Sequence, residues 1–188
     1  TFAELMRGPL SFGAMLEQRG IPATPSPQRP LKAGIAFFGG GYNGGWSGAD
    51  RVGKDAGTAT DTQGNAIYMV NAETGELIWK AVQSGTASNT TFVHNGLQHS
   101  IPSDLAVIDI NGDGYHDAAF VGDTGGNLWR VDFPSHLADS GGGSNRQTNW
   151  TLTRLATLAD SGTASADQRF FSAPEGVRSR DSNGDLLA

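Results

Sequence analysis

LAVIDINGDGYHDAAFVGDTGGNLWRVDF, residues 105–133, is the stretch that decides the fold class. It holds three short apolar runs, Leu105-Ala106-Val107-Ile108, Ala118-Ala119-Phe120-Val121 and Leu128-Trp129-Arg130-Val131-Asp132-Phe133, the last alternating with period two. Runs this short, bounded by Gly/Asn/Asp-rich turns, predict a three-stranded antiparallel meander. Upstream, Ala66–Val70 and Leu77–Ala81 flank NAETGE (71–76), whose Gly75 suits a turn position with positive φ, so a hairpin is expected there. DTQGN (61–65) and DTGGN (123–127) echo each other 62 residues apart, and each leads into a strand bearing an aromatic, Tyr68 or Trp129. That repetition suggests stacked blades. Ile35-Ala36-Phe37-Phe38 is a further strand, halted by GGGYNGG (39–45) and followed by a long Gly-rich loop through Thr60.

Composition agrees. The chain has 188 residues with 27 Gly, about twice the average share of roughly 7%, which favours many tight turns between strands over long helices. The expected fold is mostly β, and the length suits one domain or a piece of a larger protein. Residues 1–34, with four prolines in IPATPSPQRP (21–30), read as an opening segment and Pro-rich connector; 35–188 read as the β domain. Within it, 134–165 reads as a Ser/Gly/Asn/Thr-rich loop insertion with LTRLATL (152–158) as one possible strand. The last blade, from Arg169, reads as truncated. Thr1 and the terminal Leu186-Leu187-Ala188 read as the ends of an excised interior fragment. With 13 basic against 19 acidic residues and no Lys/Arg cluster, nucleic acid is a poor partner. No run approaches the roughly 18 apolar residues of a membrane span, and the absence of Cys excludes disulfides and thiolate metal sites.

The chemistry is concentrated in Asp109-Ile110-Asn111-Gly112-Asp113-Gly114-Tyr115-His116-Asp117. Counting from Asp109, oxygen-bearing side chains fall at positions 1, 3, 5 and 9, Gly114 sits at position 6, and Tyr115 offers its backbone carbonyl at position 7. Calcium takes six to eight oxygen ligands in flexible geometry, and this spacing wraps oxygens around one point. Phe120 stands at position 12, where an EF-hand has a bidentate Glu, so Asp117 must close the cage. The bland alternative is a metal-free acidic turn whose Asp and Asn side chains cap backbone groups. Magnesium fits less well, because it demands stricter octahedral geometry. Asp181-Ser182-Asn183-Gly184-Asp185 begins the same way but has Leu186 at position 6, and reads as a plain turn.

Other patterns carry less. Gly39–Gly44 matches G-x-G-x-x-G, but no helical pattern follows to bind a pyrophosphate. Ser47 in GWSGA lacks the strand-to-helix turn of a nucleophile elbow. His94, His99, His116 and His136 show no i, i+4 pairing, which argues against a His-based zinc site. Trp46, Trp79, Trp129 and Trp150 read as blade packing before ligand stacking. Asn89-Thr90-Thr91 and Asn149-Trp150-Thr151 are formal glycosylation sequons that support loops more than function.

IAFFGGGYNGG, GNAIYMVNAETGELIW and NGLQHSIPSDLAVIDINGDGYHDAAFVGDTGGNLWRVDF, in that order, resemble the C-terminal propeller of the type IV pilus tip-associated adhesin and biogenesis family, PilY. RFFSAPEGV and DSNGDLLA resemble the blade after them. The resemblance implies a modified, quinoprotein-dehydrogenase-like β-propeller of antiparallel meander blades without enzymatic activity. It also implies roles in pilus assembly, extension and retraction for twitching, and adhesion to host or abiotic surfaces. Minor pilins or other pilus-tip proteins would be the partners. The location would be the pilus tip (fimbrium), outer membrane or cell surface, reached through the periplasm. Carried over by position, the calcium ligands are Asp109, Asn111, Asp113, the Tyr115 carbonyl and Asp117. No Arg-Gly-Asp tripeptide is present. Two rivals share parts of the pattern. A pyrroloquinoline-quinone dehydrogenase has strand-turn-strand units like YMVNAETGELIW but needs a catalytic carboxylate constellation, and an integrin-like receptor propeller carries several such calcium loops where this chain has one complete copy.

Overall fold

The structure, a computed structural model, describes residues 34–57, 60–112, 114–133, 150–158, 168–177, 179–180 and 186–187. The chain divides between Gly34 and Ile35, and every element below belongs to the unit Ile35–Ala188. The Pro-rich connector, 134–149 of the expected insertion, and the Asp181–Asp185 turn lie outside the described residues.

The first sheet contains β1 (Ile35–Gly39), β4 (Ala66–Asn71), β5 (Leu77–Val82) and β6 (Thr91–Val93), in that spatial order. Its centre follows from alternation: Ile67 and Met69 on β4 are fully buried while Tyr68 between them is only half-buried. The β4–β5 turn is built by Asn71, whose Oδ1 accepts the N–H groups of Glu73 and Thr74. Gly75, at φ 74°, lets the chain reverse, and its N–H returns to the Asn71 carbonyl. A bulge makes Ile78 the extra residue, with Trp79 opposite Met69 and Leu77 opposite Val70. β6 runs parallel to β5 over three residue pairs and is reached through the connection 83–90.

The second sheet is an antiparallel meander of β7 (Ala106–Ile108), β8 (Ala118–Gly122), β9 (Asn127–Asp132) and β10 (Thr151–Thr157). The first three correspond to the three apolar runs of residues 105–133. β10 contains most of the possible strand within 134–165. It pairs along β9 from Thr151 opposite Asp132 to Thr157 opposite Asn127, so this part of the expected insertion is the fourth strand of a sheet. The Gly-rich stretch read as one long loop contains a two-residue hairpin, β2 (Trp46–Ser47) with β3 (Asp50–Arg51), and a single 3-10 turn, Gly53–Ala56. A last short pair joins β11 (Ser179–Arg180) to β12 (Leu186–Leu187).

One core serves both sheets. Ile67, Met69, Trp79 and Ala81 from the first join Ala119, Val121, Trp129, Val131 and Leu152 from the second, with Leu97 and Ile101 between them. Phe37, Phe133, Trp150 and Trp79 form an aromatic chain through it, at centroid distances of 4.9, 6.1 and 6.0 Å. Each buried Trp removes about 150–250 Å² from water, an upper bound of roughly 4–6 kcal/mol per side chain. The sequence echo has a structural counterpart: β1-β4-β5 and β8-β9-β10 share one three-strand order, and the echoed segment enters the middle strand each time. Residues at the same phase, Ile67 and Met69 in one copy and Trp129 and Val131 in the other, enter the same core, so the two sheets pack face to face. The fold is therefore mostly β with several sheets, and among the described residues no ring of blades closes.

Candidate metal-binding loop

Ile108 and Ala118 pair at the mouth of the acidic loop, and the Asp117 N–H donates to the Ile108 carbonyl at 2.9 Å. Between them the backbone curls through Gly112 (φ 83°) and Gly114 (φ 89°), conformations that residues with a Cβ rarely adopt. The curl is held from both ends by carboxylates. Asp109 Oδ1 accepts the Gly112 N–H at 2.6 Å and its Oδ2 accepts the Gly114 N–H at 2.9 Å. Asp117 Oδ2 accepts the N–H groups of Ile110 at 3.0 Å and Asn111 at 3.3 Å. Asp117 is buried, Tyr115 is half-buried, and Asn111 is exposed. Asp113 lies outside the described residues, and among those described no three His, Cys, Asp or Glu side chains gather as a metal cluster.

Chemically, the donor set is oxygen only, with two carboxylates turned into one nine-residue coil, an amide oxygen at Asn111 and a carbonyl at Tyr115. That set suits a hard cation such as calcium. The same bonds also describe a self-capped turn, so both readings of the sequence survive the geometry.

The weaker candidates are placed differently. Gly41 bridges to Ile101, and the only helical turn among the described residues of 39–57 is the four-residue Gly53–Ala56, so no helix N-terminus stands behind Gly39–Gly44. Ser47 lies in an exposed two-residue strand. His94 accepts the Gly96 N–H and meets Trp129 edge-on at 5.0 Å. Trp79 and Trp129 are core residues, while Trp46 is 65% exposed with the Arg51 guanidinium over its ring.

Two polar centres were not assigned from sequence. The first is Asp123, fully buried at the head of the second echo copy. Its Oδ1 accepts the N–H groups of Gly125 and Asn127, and its Oδ2 accepts the Asn127 amide at 2.9 Å and the Trp129 indole at 2.7 Å. The repeated Asp was the available signal. The second is Asp55, which accepts the Tyr42 hydroxyl, the Gly45 N–H and the Arg169 guanidinium. Arg169 also donates to the Lys54 carbonyl, tying the Gly-rich loop to residues 168–171.

These contacts hold the Asp55 carboxyl below its ordinary value, first through the Tyr42 hydroxyl, then through the Gly45 N–H and Arg169. Burial raises the Tyr42 phenol, and the Asp55 carboxylate raises it further, with Arg169 opposing. Because the folded Asp55 value lies below the unfolded one, its contribution is complete above the unfolded value and is lost as pH falls through the folded value. A carboxyl-carbon NMR titration is expected to give a midpoint for Asp55 below that of a free Asp, moving upward in Tyr42→Phe. A midpoint at the ordinary value in the native chain would contradict the geometry.

Comparison with known proteins adds a relationship. No family model matches the chain. Over 111 residues it is 32% identical to a protein of Xylella fastidiosa named a type IV pilus biogenesis factor PilY1 homolog, a match covering 55% of this chain and 6% of that protein. Over that stretch the chain is similar to a PilY1 homolog. Among solved structures, the C-terminal domain of Pseudomonas aeruginosa PilY1 is similar at 25% identity and a TM-score of 0.43, covering 63% of this chain and 24% of that one. The chain thus spans only a small part of the length of the relatives it matches.

Proposed function

We propose that this chain is part of a type IV pilus biogenesis factor and that its Asp109–Asp117 loop binds calcium as a conformational latch. The similarity to the PilY1 homolog carries the first half of the reading. The coil of inward-turned carboxylates supports the second. A calcium ion there would supply the positive charge that lets Asp109, Asp113 and Asp117 crowd together. The remaining steps belong to the chain. Asp109 and Asp117 already fix four backbone N–H groups of the loop, so their oxygens are positioned by the fold. With their charges unbalanced the three aspartates repel and the coil loosens; with them balanced, the hairpin is pinned to the second sheet and one surface keeps a fixed shape for a partner.

On this reading the chain is a binding and assembly module, not an enzyme. It works in an exported protein at the pilus tip or cell surface, with minor pilins or tip proteins as partners and adhesion as an output. The resemblance to PilY-family sequences, and not the packing of the two sheets, is what carries a modified propeller as the architecture of the intact protein. The test is calorimetric titration of the folded chain with calcium, with magnesium as competitor. One-site binding that Asp113→Ala abolishes is expected; no heat, and no change in melting temperature with chelator, would reduce the loop to a capped turn.

A further inference from the structure

The two echo copies place an aspartate at equivalent positions, and the structure treats them unequally. Asp123 spreads its acceptors over Gly125, Asn127 and Trp129, and both oxygens are used. Asp61 is 3% exposed and receives only the Ser100 N–H at 2.7 Å and the Thr124 hydroxyl at 2.8 Å, both on Oδ2. Its Oδ1 is fully enclosed and accepts no hydrogen bond. The reason lies in the sequence. Where the second copy has Trp129, whose indole N–H and bulk sit against Asp123, the first has Ile67, which is smaller and has no side-chain donor. Asn65, aligned with Asn127, turns its amide to Gln83 and the Leu97 carbonyl instead.

We infer that Asp61 anchors a buried site for a monovalent cation of the sodium or potassium class, at the junction of the two copies. A buried carboxylate with one oxygen unserved needs either a donor or a counter-charge. Two hydroxyl oxygens stand beside the carboxylate on its Oδ2 side: those of Ser100 and Thr124 lie 3.0 Å apart, and Thr124 donates to Asp61 Oδ2 at 2.8 Å. One carboxylate balances one positive charge, whereas a divalent ion is ordinarily held by several carboxylates. The site is separate from the Asp109–Asp117 loop in residues and in charge. Because Thr124 belongs to the second copy and Asp61 to the first, an ion here fastens one sheet to the other.

The experiment is thermal unfolding of the chain in sodium chloride, potassium chloride and choline chloride at equal ionic strength, with a calcium chelator present throughout so that the acidic loop does not contribute. The expected result is a melting temperature about 5 °C lower in choline than in the better alkali salt. Asp61→Asn, which keeps shape and removes the charge, is expected to melt identically in all three salts. Thr124→Val serves if Asp61→Asn does not fold, and is expected to shrink the difference. Equal melting of the native chain in the three salts would mean that Asp61 is served by internal water or a proton, and would overturn the inference. So would a salt difference that survives both substitutions.

Discussion

Asp123→Ala is expected to cost about 3–5 kcal/mol of folding stability, the range for removing one partner from a buried charged network. The substitution strips the acceptor from the Gly125 and Asn127 N–H groups, the Asn127 amide and the Trp129 indole, all in a part of the fold where Asp123, Asn127 and Trp129 are 0–3% exposed. Each donor left unserved carries a desolvation penalty of about 1–3 kcal/mol, partly recovered where the turn can open to water. Against a total of about 5–15 kcal/mol for a typical domain, that is a large fraction. Asp123→Asn retains one acceptor oxygen and is expected to fall between the native chain and the alanine variant. Trp129→Phe, which removes one donor along with some packing, is expected to cost less than Asp123→Ala. Urea unfolding read by circular dichroism measures all three. A loss below about 1 kcal/mol for Asp123→Ala would mean that the echo turn stands on backbone geometry alone.

The echo was visible in the sequence as five similar letters, but its meaning was not. That Asp123 gathers its own turn is a local event, within six residues, and a motif repeated before two strands gave a hint of it. That Asp61 is met by Thr124, 63 residues on, depends on how two sheets face each other. Period-two alternation says which side of a strand is apolar; it does not say which sheet the apolar side will meet. The same limit hid the Asp55–Arg169 pair, 114 residues apart in sequence. The strands themselves were legible where apolar residues ran or alternated over five or six positions between turn formers, as at β4, β5, β8 and β9. β6, with three residues, and the two-residue strands β2 and β3 are too short to show a period. β10 was half-legible: Leu152 is buried, but Thr151, Thr153, Arg154 and Leu155 are exposed at the sheet's edge, which weakens the alternation. The acidic loop was the easiest part, because a coil built from consecutive residues writes its spacing directly into the chain.

That coil supports the second large effect. Asp117→Asn is expected to lower calcium affinity by about 100-fold or more while leaving the chain folded. The two roles of Asp117 can be separated because they need different things from it. Holding the Ile110 and Asn111 N–H groups requires an acceptor oxygen, which asparagine keeps; closing a cage around a divalent cation requires the charge, which asparagine lacks. Asp117→Ala removes both, so it is expected to destabilise even the calcium-free chain, by about 1 kcal/mol, through two donors at the part-buried base of the loop. Calcium at about 100 times its dissociation constant would add roughly 2.7 kcal/mol to the native chain, seen as a rise in melting temperature that chelator reverses. In Asp117→Asn that rise should vanish while the chelated melting temperature stays close to native. If Asp117→Asn instead kept the full calcium-dependent rise, Asp117 would be a cap and not a ligand, and closure of the cage at position 9 would have to be abandoned.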